Sequence, residues 1–281
     1  MNYTGKHFEA GEELSDILRH FYCFEINDDA EIQTGRLAPN FDMLLMFNFN
    51  KPVRIFFGNG SFEGERIERV GVLGPLRKML NYEMLPQMNL VILIFTMDGF
   101  YRLFQTELDE IDDEKVIDPN VFFNDTLFDD LWLVLKNTGS MDERVQLLRE
   151  FILSMTKKSD EAVIPLFENH TYFDDPNLEP IKAIAQDLNL SERTIQLRFK
   201  KYTGFAPKEM LRFKRFKLVL NYLIDNSKSP VKWMEIIYQH GYHDQSHLIK
   251  DFQHYLGTTP KKFVAKLKDE LFCVSRPGKY Y

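Results

Sequence analysis

Four of the chain's seven histidines, His240, His243, His247 and His254, fall within fifteen positions. Imidazoles at that density raise two chemistries, metal ligation and hydrogen bonding to nucleic acid. His243 and His247 stand four apart, which sets two side chains on one helical face, as in a zinc-binding helix. The stretch His-Asp-Gln-Ser-His lacks the glutamate of the H-E-x-x-H motif and has no cysteine nearby, so it reads against a metal, and no cofactor is expected. His247 then faces nucleic acid, His240 packs ahead of Gly241, and His254 lies at the surface. Cys23 sits in Phe-Tyr-Cys-Phe-Glu, with only His20 near it and no cation to lower its pKa, so it is a poor nucleophile. The acidic run at 108–115, LDEIDDEK, reads as a solvated loop rather than paired catalytic carboxylates. Arg77 and Lys78, after Gly74-Pro75, suit either an anionic effector or a surface loop. No catalytic set emerges, and an enzyme is not expected.

The charge balance points the same way. The net charge of −7 argues by itself against nucleic acid, but it is unevenly spread. Residues 171–281 hold 19 Lys+Arg against 12 Asp+Glu, a net +7, whereas residues 1–170 hold 16 against 30, a net −14. A basic C-terminal part joined to an acidic N-terminal part suggests an anion-binding module tied to something else. The length of 281 residues suits about two domains. The longest apolar run, LVILIF at 90–95, is far short of the roughly 20 residues that span a bilayer, and the first twenty residues lack the apolar core of a secretory signal. With two cysteines, Cys23 and Cys273, a disulfide framework is absent and a cytoplasmic location is expected.

The elements that must position these residues differ between the two parts. Residues 43–49, 53–57 and 90–97 read as strands, Asn59-Gly60 as a hairpin turn, and glycines at 58, 60, 64, 71 and 74 as tight connections. Apolar spacing predicts helices at 121–137 and 141–155, while 100–104 is too short to classify. A polar break at 157–160 marks a domain boundary. Beyond it, helices are expected at 178–188, 191–202, 207–225, 231–240, 244–256 and 260–270. The fold class is α+β. A β-rich, barrel-like domain with trailing helices fills 1–157, an all-α domain fills 158–270, and 271–281 is a tail.

Within the all-α part the same plan occurs twice. Pro180 suits the first turn of one helix, Asn189 a left-handed turn, and Ser191 the N-cap of the next helix. That helix buries Ile195 and Phe199 and exposes Arg193, Gln196, Lys200 and Lys201. In the second copy Gly241 marks the turn, the cap falls near His243 or Asp244, and Leu248 and Phe252 repeat the buried pair. Gly204 and Gly257 end the two copies, each followed within three residues by proline. These are helix-turn-helix units, joined by a basic amphipathic helix at 207–225 that carries Arg212 and Arg215 and spans about 28 Å at 1.5 Å per residue. That length suits recognition helices one DNA turn, about 34 Å, apart.

The pattern Ser191-x-Arg-x-Ile-x-x-x-Phe-Lys-Lys-x-x-Gly204-x-x-Pro207, then Arg212-x-x-Arg215, then Gly241-Tyr-x-Asp-Gln-Ser-His-Leu-x-Lys-x-Phe252, closed by Gly257-x-x-Pro260, resembles the AraC/XylS type of bacterial transcription regulator over about 160–268. The resemblance implies sequence-specific binding to double-stranded DNA. It gives Arg193, Gln196 and Leu197 base-reading roles in the first recognition helix, and Gln245, Ser246, His247, Ile249 and Lys250 in the second, with backbone amides at helix N-termini meeting phosphates. Ser191, Lys200, Lys201, Arg212 and Arg215 complete the expected DNA-facing set. The chain departs from the family at Leu197, commonly arginine, at Ile237, commonly alanine, and at Asp251, Gln253 and His254, which predict a weaker phosphate grip by the second helix. The N-terminal part is similar to the β-rich domain of uncharacterised relatives. That likeness implies a small-molecule effector and a homodimer, and a regulator of this type would either contact RNA polymerase or block it. The aromatics Phe21, Tyr22, Phe24, Phe47, Phe49, Phe56 and Phe57 are expected to fill a core. Two alternatives are carried forward. One is an interaction module of the same fold with weakened DNA binding, suggested by Leu197, Ile237 and Asp251. The other is a DNA-directed enzyme built on Cys23.

Overall fold

The computed structural model describes residues 3–156, 173, 179–227, 229–267 and 272–273. The expected boundary at 157–160 lies outside them, as do 271 and 274–281 of the expected tail.

The N-terminal part begins with nine strands: β1 Tyr3–Glu9, β2 Leu18–Ile26, β3 Gln33–Leu37, β4 Leu44–Asn48, β5 Val53–Phe57, β6 Arg66–Ile67, β7 Val70–Leu73, β8 Leu80–Met84 and β9 Asn89–Phe95. A short β10, Phe272–Cys273, pairs in parallel with β3, so part of the expected tail is a strand. Two five-stranded sheets result, in the orders β1-β2-β9-β4-β7 and β10-β3-β8-β5-β6. The pairing of β9 between β2 and β4 sets Val91 opposite Cys23 and Phe47.

The run LVILIF is apolar throughout because its sheet is covered on both faces. Leu90 and Ile94 join Phe24, Leu44 and Met46 in a core shared with Ile55, Phe57 and Leu80 of the second sheet. Val91, Leu93 and Phe95 face the other way, with Phe21, Leu45 and Phe47. Four helices cover that outer face: α1 Gly99–Phe104, α2 Pro119–Phe123, α3 Leu127–Asn137 and α4 Met141–Met155. The expected helix at 121–137 is therefore two, broken where Asn124 turns left-handed with φ 51°. Asn59-Gly60 is not a two-residue hairpin. β5 and β6 pair Val53 with Ile67 across a longer loop, in which Gly58 takes φ 58°.

Among the described residues six helices follow: α5 Pro180–Asp187, α6 Glu192–Thr203, α7 Pro207–Asp225, α8 Trp233–Gln239, α9 Gln245–Leu256 and α10 Pro260–Lys266. Their apolar faces continue the core of the first sheet rather than forming a separate one. Phe41, at the tip of the β3–β4 connection, is the bridge. Its ring centroid lies 4.3 Å from that of Phe213 and 4.6 Å from that of Phe205. Tyr101 meets Tyr202 at 4.5 Å, and the Met79 N–H donates to the Tyr255 carbonyl at 2.9 Å. Beside Phe41, buried Asp42 holds Arg19 at 3.1 Å. Burial pushes the Asp42 carboxyl up, opposed by Arg19 and by Lys217 of α7.

Candidate nucleic-acid interface

Each helix pair is built from local chemistry. α5 opens on Pro180, buries Ile184 and Ala185, and ends where Asn189 adopts φ 51°. The Ser191 hydroxyl then accepts from the Thr194 N–H at 3.1 Å, capping α6. Ile195 and Phe199 are fully buried, and Gly204 ends the helix with φ 79°. In the second copy Gly241 takes φ 67°, and Asp244, one of the two expected caps, accepts from the His247 N–H at 2.7 Å. Leu248 and Phe252 are fully buried, and Gly257 closes α9 with φ 66°.

The opposite faces carry the expected site residues. On α6 and its cap, Ser191, Arg193, Gln196, Leu197 and Lys200 are exposed, and Lys201 is half-buried. On α9, Gln245, Ser246 and Lys250 are exposed, while His247 and Ile249 are half-buried. Leu197, 52% exposed, is an apolar group on an otherwise polar surface. Ile237 is buried on α8.

Two sequence expectations need correction. Asp251 is not a surface charge beside the second helix: it is wholly buried. It accepts from Arg212 Nε at 2.7 Å and from the Tyr242 hydroxyl at 2.9 Å. Burial first, and then Asp251, push the Tyr242 hydroxyl well above the usual phenol range. Arg215 approaches the same carboxylate at 3.8 Å and sets its guanidinium over the Tyr242 ring, 4.6 Å from the centroid. Arg212 and Arg215, expected among the DNA-facing residues, are thus engaged inside the domain. The buried charge is paired, as a buried charge must be, and so it no longer argues for lost DNA binding.

The acidic run keeps Asp109, Asp112 and Glu114 exposed, but it is anchored to the helical part rather than free. Leu108 and Ile111 are buried between its carboxylates. Glu107 pairs with Lys201 at 2.6 Å, Asp109 lies 4.0 Å from Lys200, and Asp113 meets Arg77 at 3.2 Å. Arg77 and Lys78 hold protein groups rather than standing free for an effector. Arg77 donates to the Gly204 carbonyl, and Lys78 pairs with Glu114. The N-terminal part therefore grips the end of each candidate recognition helix. A Cβ on Gly204 would come within 2.9 Å of the Leu108 carbonyl oxygen, and one on Gly257 within 2.2 Å of the Asn59 side chain. A cavity of about 320 Å³ opens at this second contact, lined by Arg36, Phe56, Met79, Leu256 and Lys266 among others.

Two of the histidines stand where expected, His240 packed and His254 exposed. His247, expected to face nucleic acid, has its Nε2 3.0 Å from Arg215, so one of its two ring nitrogens is engaged within the domain. His240 packs edge-on against Tyr222 at 5.9 Å. Burial pushes the Cys23 thiol up to about 12, the opposite of an activated nucleophile. Among the described residues, no helix is long and apolar enough to cross a membrane.

Sequence reasoning missed the burial of Asp251 and the acidic grip, and each left a signal. Asp251 stands on the arc Leu248, Phe252, Tyr255, at the 3-and-4 spacing of a buried face. Leu108 and Ile111 stand three apart within the acidic run.

Residues 184–266 match the helix-turn-helix domain family. They form an AraC-type helix-turn-helix domain, the DNA-binding module of transcription regulators. No curated protein matches the chain. Among solved structures, ToxT from Vibrio cholerae is 11% identical, with 94% of this chain and 98% of that chain covered and a TM-score of 0.42. ToxT bound to an unsaturated fatty acid gives 12%, 83% and 94% with a TM-score of 0.40. The AraC-like transcriptional activator CuxR gives 10%, 77% and 94% with a TM-score of 0.25. Similarity this distant carries no argument about ligand or mechanism.

Proposed function

We propose that α6 and α9 enter successive major grooves on one face of a duplex and that the N-terminal part modulates how they do so. The carrying observation is the repeated build of the two helices. Each is capped by a side chain at its N-terminus and sealed by two fully buried apolar residues, and each leaves a polar, amide-bearing face exposed. Such a face suits base edges, with arginine to guanine and glutamine to adenine. Arg193, Gln196 and Leu197 read bases from α6, Leu197 by apolar contact with a thymine methyl. Gln245, Ser246, His247, Ile249 and Lys250 read from α9. Ser191 and Lys200 meet phosphates, joined by Lys201 when Glu107 releases it.

The division into 1–157 and 158–270 is part of this reading, with an effector taken up at the junction cavity, a homodimer as the working unit, and polymerase either contacted or blocked. The test is selection of bound fragments from random DNA by the full chain. Arg193→Ala should weaken binding to the selected site by roughly 1–3 kcal/mol while sparing random DNA. Equal loss on both would remove Arg193 from the base-reading set.

A further inference from the structure

Among the candidate base-reading residues, His247 has its hydrogen-bonding identity decided before DNA arrives. Its Nε2 lies 3.0 Å from a terminal nitrogen of Arg215. A guanidinium has donors and no acceptor and stays protonated in proteins. Nε2 must therefore accept, because a proton there would set two donors head to head. In a neutral imidazole the remaining proton then sits on Nδ1.

Arg215 is in turn held from several sides. It approaches the buried Asp251 carboxylate at 3.8 Å and the Gly241 carbonyl at 3.4 Å, and it lies over the Tyr242 ring. Tyr242 donates its own hydroxyl to Asp251 and meets the His247 ring edge-on at 5.2 Å. The imidazole is thus fixed against both the guanidinium and the phenol, while Asp244 anchors its backbone N–H.

We propose that Arg215 is a positioning residue that makes His247 a one-way donor through Nδ1–H. The base read by His247 then presents a major-groove acceptor, guanine first, with N7 and O6, and cytosine on the contacted strand excluded because it offers only its amino donor. This inference rests on α9 being a recognition helix and adds what one of its residues selects.

Two measurements on the full chain test it. In long-range proton–nitrogen correlation spectra of histidine-¹⁵N-labelled protein, the His247 signals, assigned by their loss in His247→Gln, should show Nδ1 protonated and Nε2 bare. Arg215→Met should scramble that pattern, and Arg215→Lys, which keeps a donor, should restore it in part. A proton found on Nε2 in the unsubstituted protein overturns the proposal without needing any variant to fold.

In selection from random DNA, one position of the second half-site should favour guanine by about 3- to 10-fold, the size of one net hydrogen bond. His247→Ala and Arg215→Met should both erase that preference and leave the positions read by α6 unchanged. Loss of affinity by the same factor on every sequence would make His247 a phosphate contact and end the proposal. If Gln245→Ala and Lys250→Ala also leave the selected site unchanged, the recognition-helix reading of α9 falls with it. If they alter the site and His247→Ala does not, only the present inference falls.

Discussion

The two helix-turn-helix units share a plan and differ in what holds their charged groups. The first unit is tied outward. Lys200 and Lys201 at the end of α6 reach Asp109 and Glu107 of the N-terminal part, through pairs in which every side chain is substantially exposed. The second is tied inward, through Asp251, wholly buried and shared by Arg212, Tyr242 and Arg215. Exposed pairs are worth about 0–1 kcal/mol and weaken with salt, whereas removing one member of a buried pair costs several times more. If α6 is a recognition helix as proposed, its terminal lysines divide between DNA and the rest of the chain. α9 is preorganised and shares only its C-terminal seat.

Phe41 is the place to break that contrast, because it serves both units at once. Phe41→Ala should cost about 3–5 kcal/mol, the usual range for emptying a buried phenylalanine site. It should also split a single thermal transition into two. One unsplit transition with a small shift would mean that the core is not shared between the two parts.

Asp251→Ala comes next. It should cost about 3 kcal/mol of stability, at the low end for a buried pair because Arg212 retains some access to water. It should also reduce selectivity at the half-site read by α9 while leaving the other half-site intact. Denaturant unfolding and half-site selection report the two effects. Equal damage to both half-sites would contradict an inward tie confined to the second unit.

The smallest effect sharpens the contrast. Glu107→Gln with Asp109→Asn should change stability by less than about 1 kcal/mol. By removing the two carboxylates that compete for Lys200 and Lys201, the pair should also tighten DNA binding and steepen its salt dependence by up to about two phosphate contacts. Titration over a range of salt concentrations measures this, and an unchanged slope would show that the acidic segment does not compete with DNA.

The helical part was legible because its punctuation is chemical. Ser191, Gly204, Pro207, Gly241, Gly257 and Pro260 mark caps and stops, and α7 and α4 fall where the apolar spacing puts them. The strand part was less so. β1 and β2 carry Lys6, His7, Arg19, His20 and Glu25 among their apolar residues, and β3 and β8 are short and polar, so pairing partners remote in sequence decide them. The exposed face of α6 could be read from periodicity alone. The arc hints at the burial of Asp251, but its pairing could not be read, because Arg212 and Tyr242 arrive from other elements. The docking of the acidic run likewise depends on Lys200, Lys201 and Arg77, which are distant in the chain.

The central claim is that α6 and α9 occupy neighbouring major grooves. Methylation-interference footprinting of the full chain on a selected duplex tests it most directly. The account predicts two protected guanine clusters about 10 base pairs apart on one face. Arg193→Ala should abolish contacts only in the first cluster, and Gln245→Ala only in the second. A single protected cluster, or one that both substitutions erase together, would contradict it.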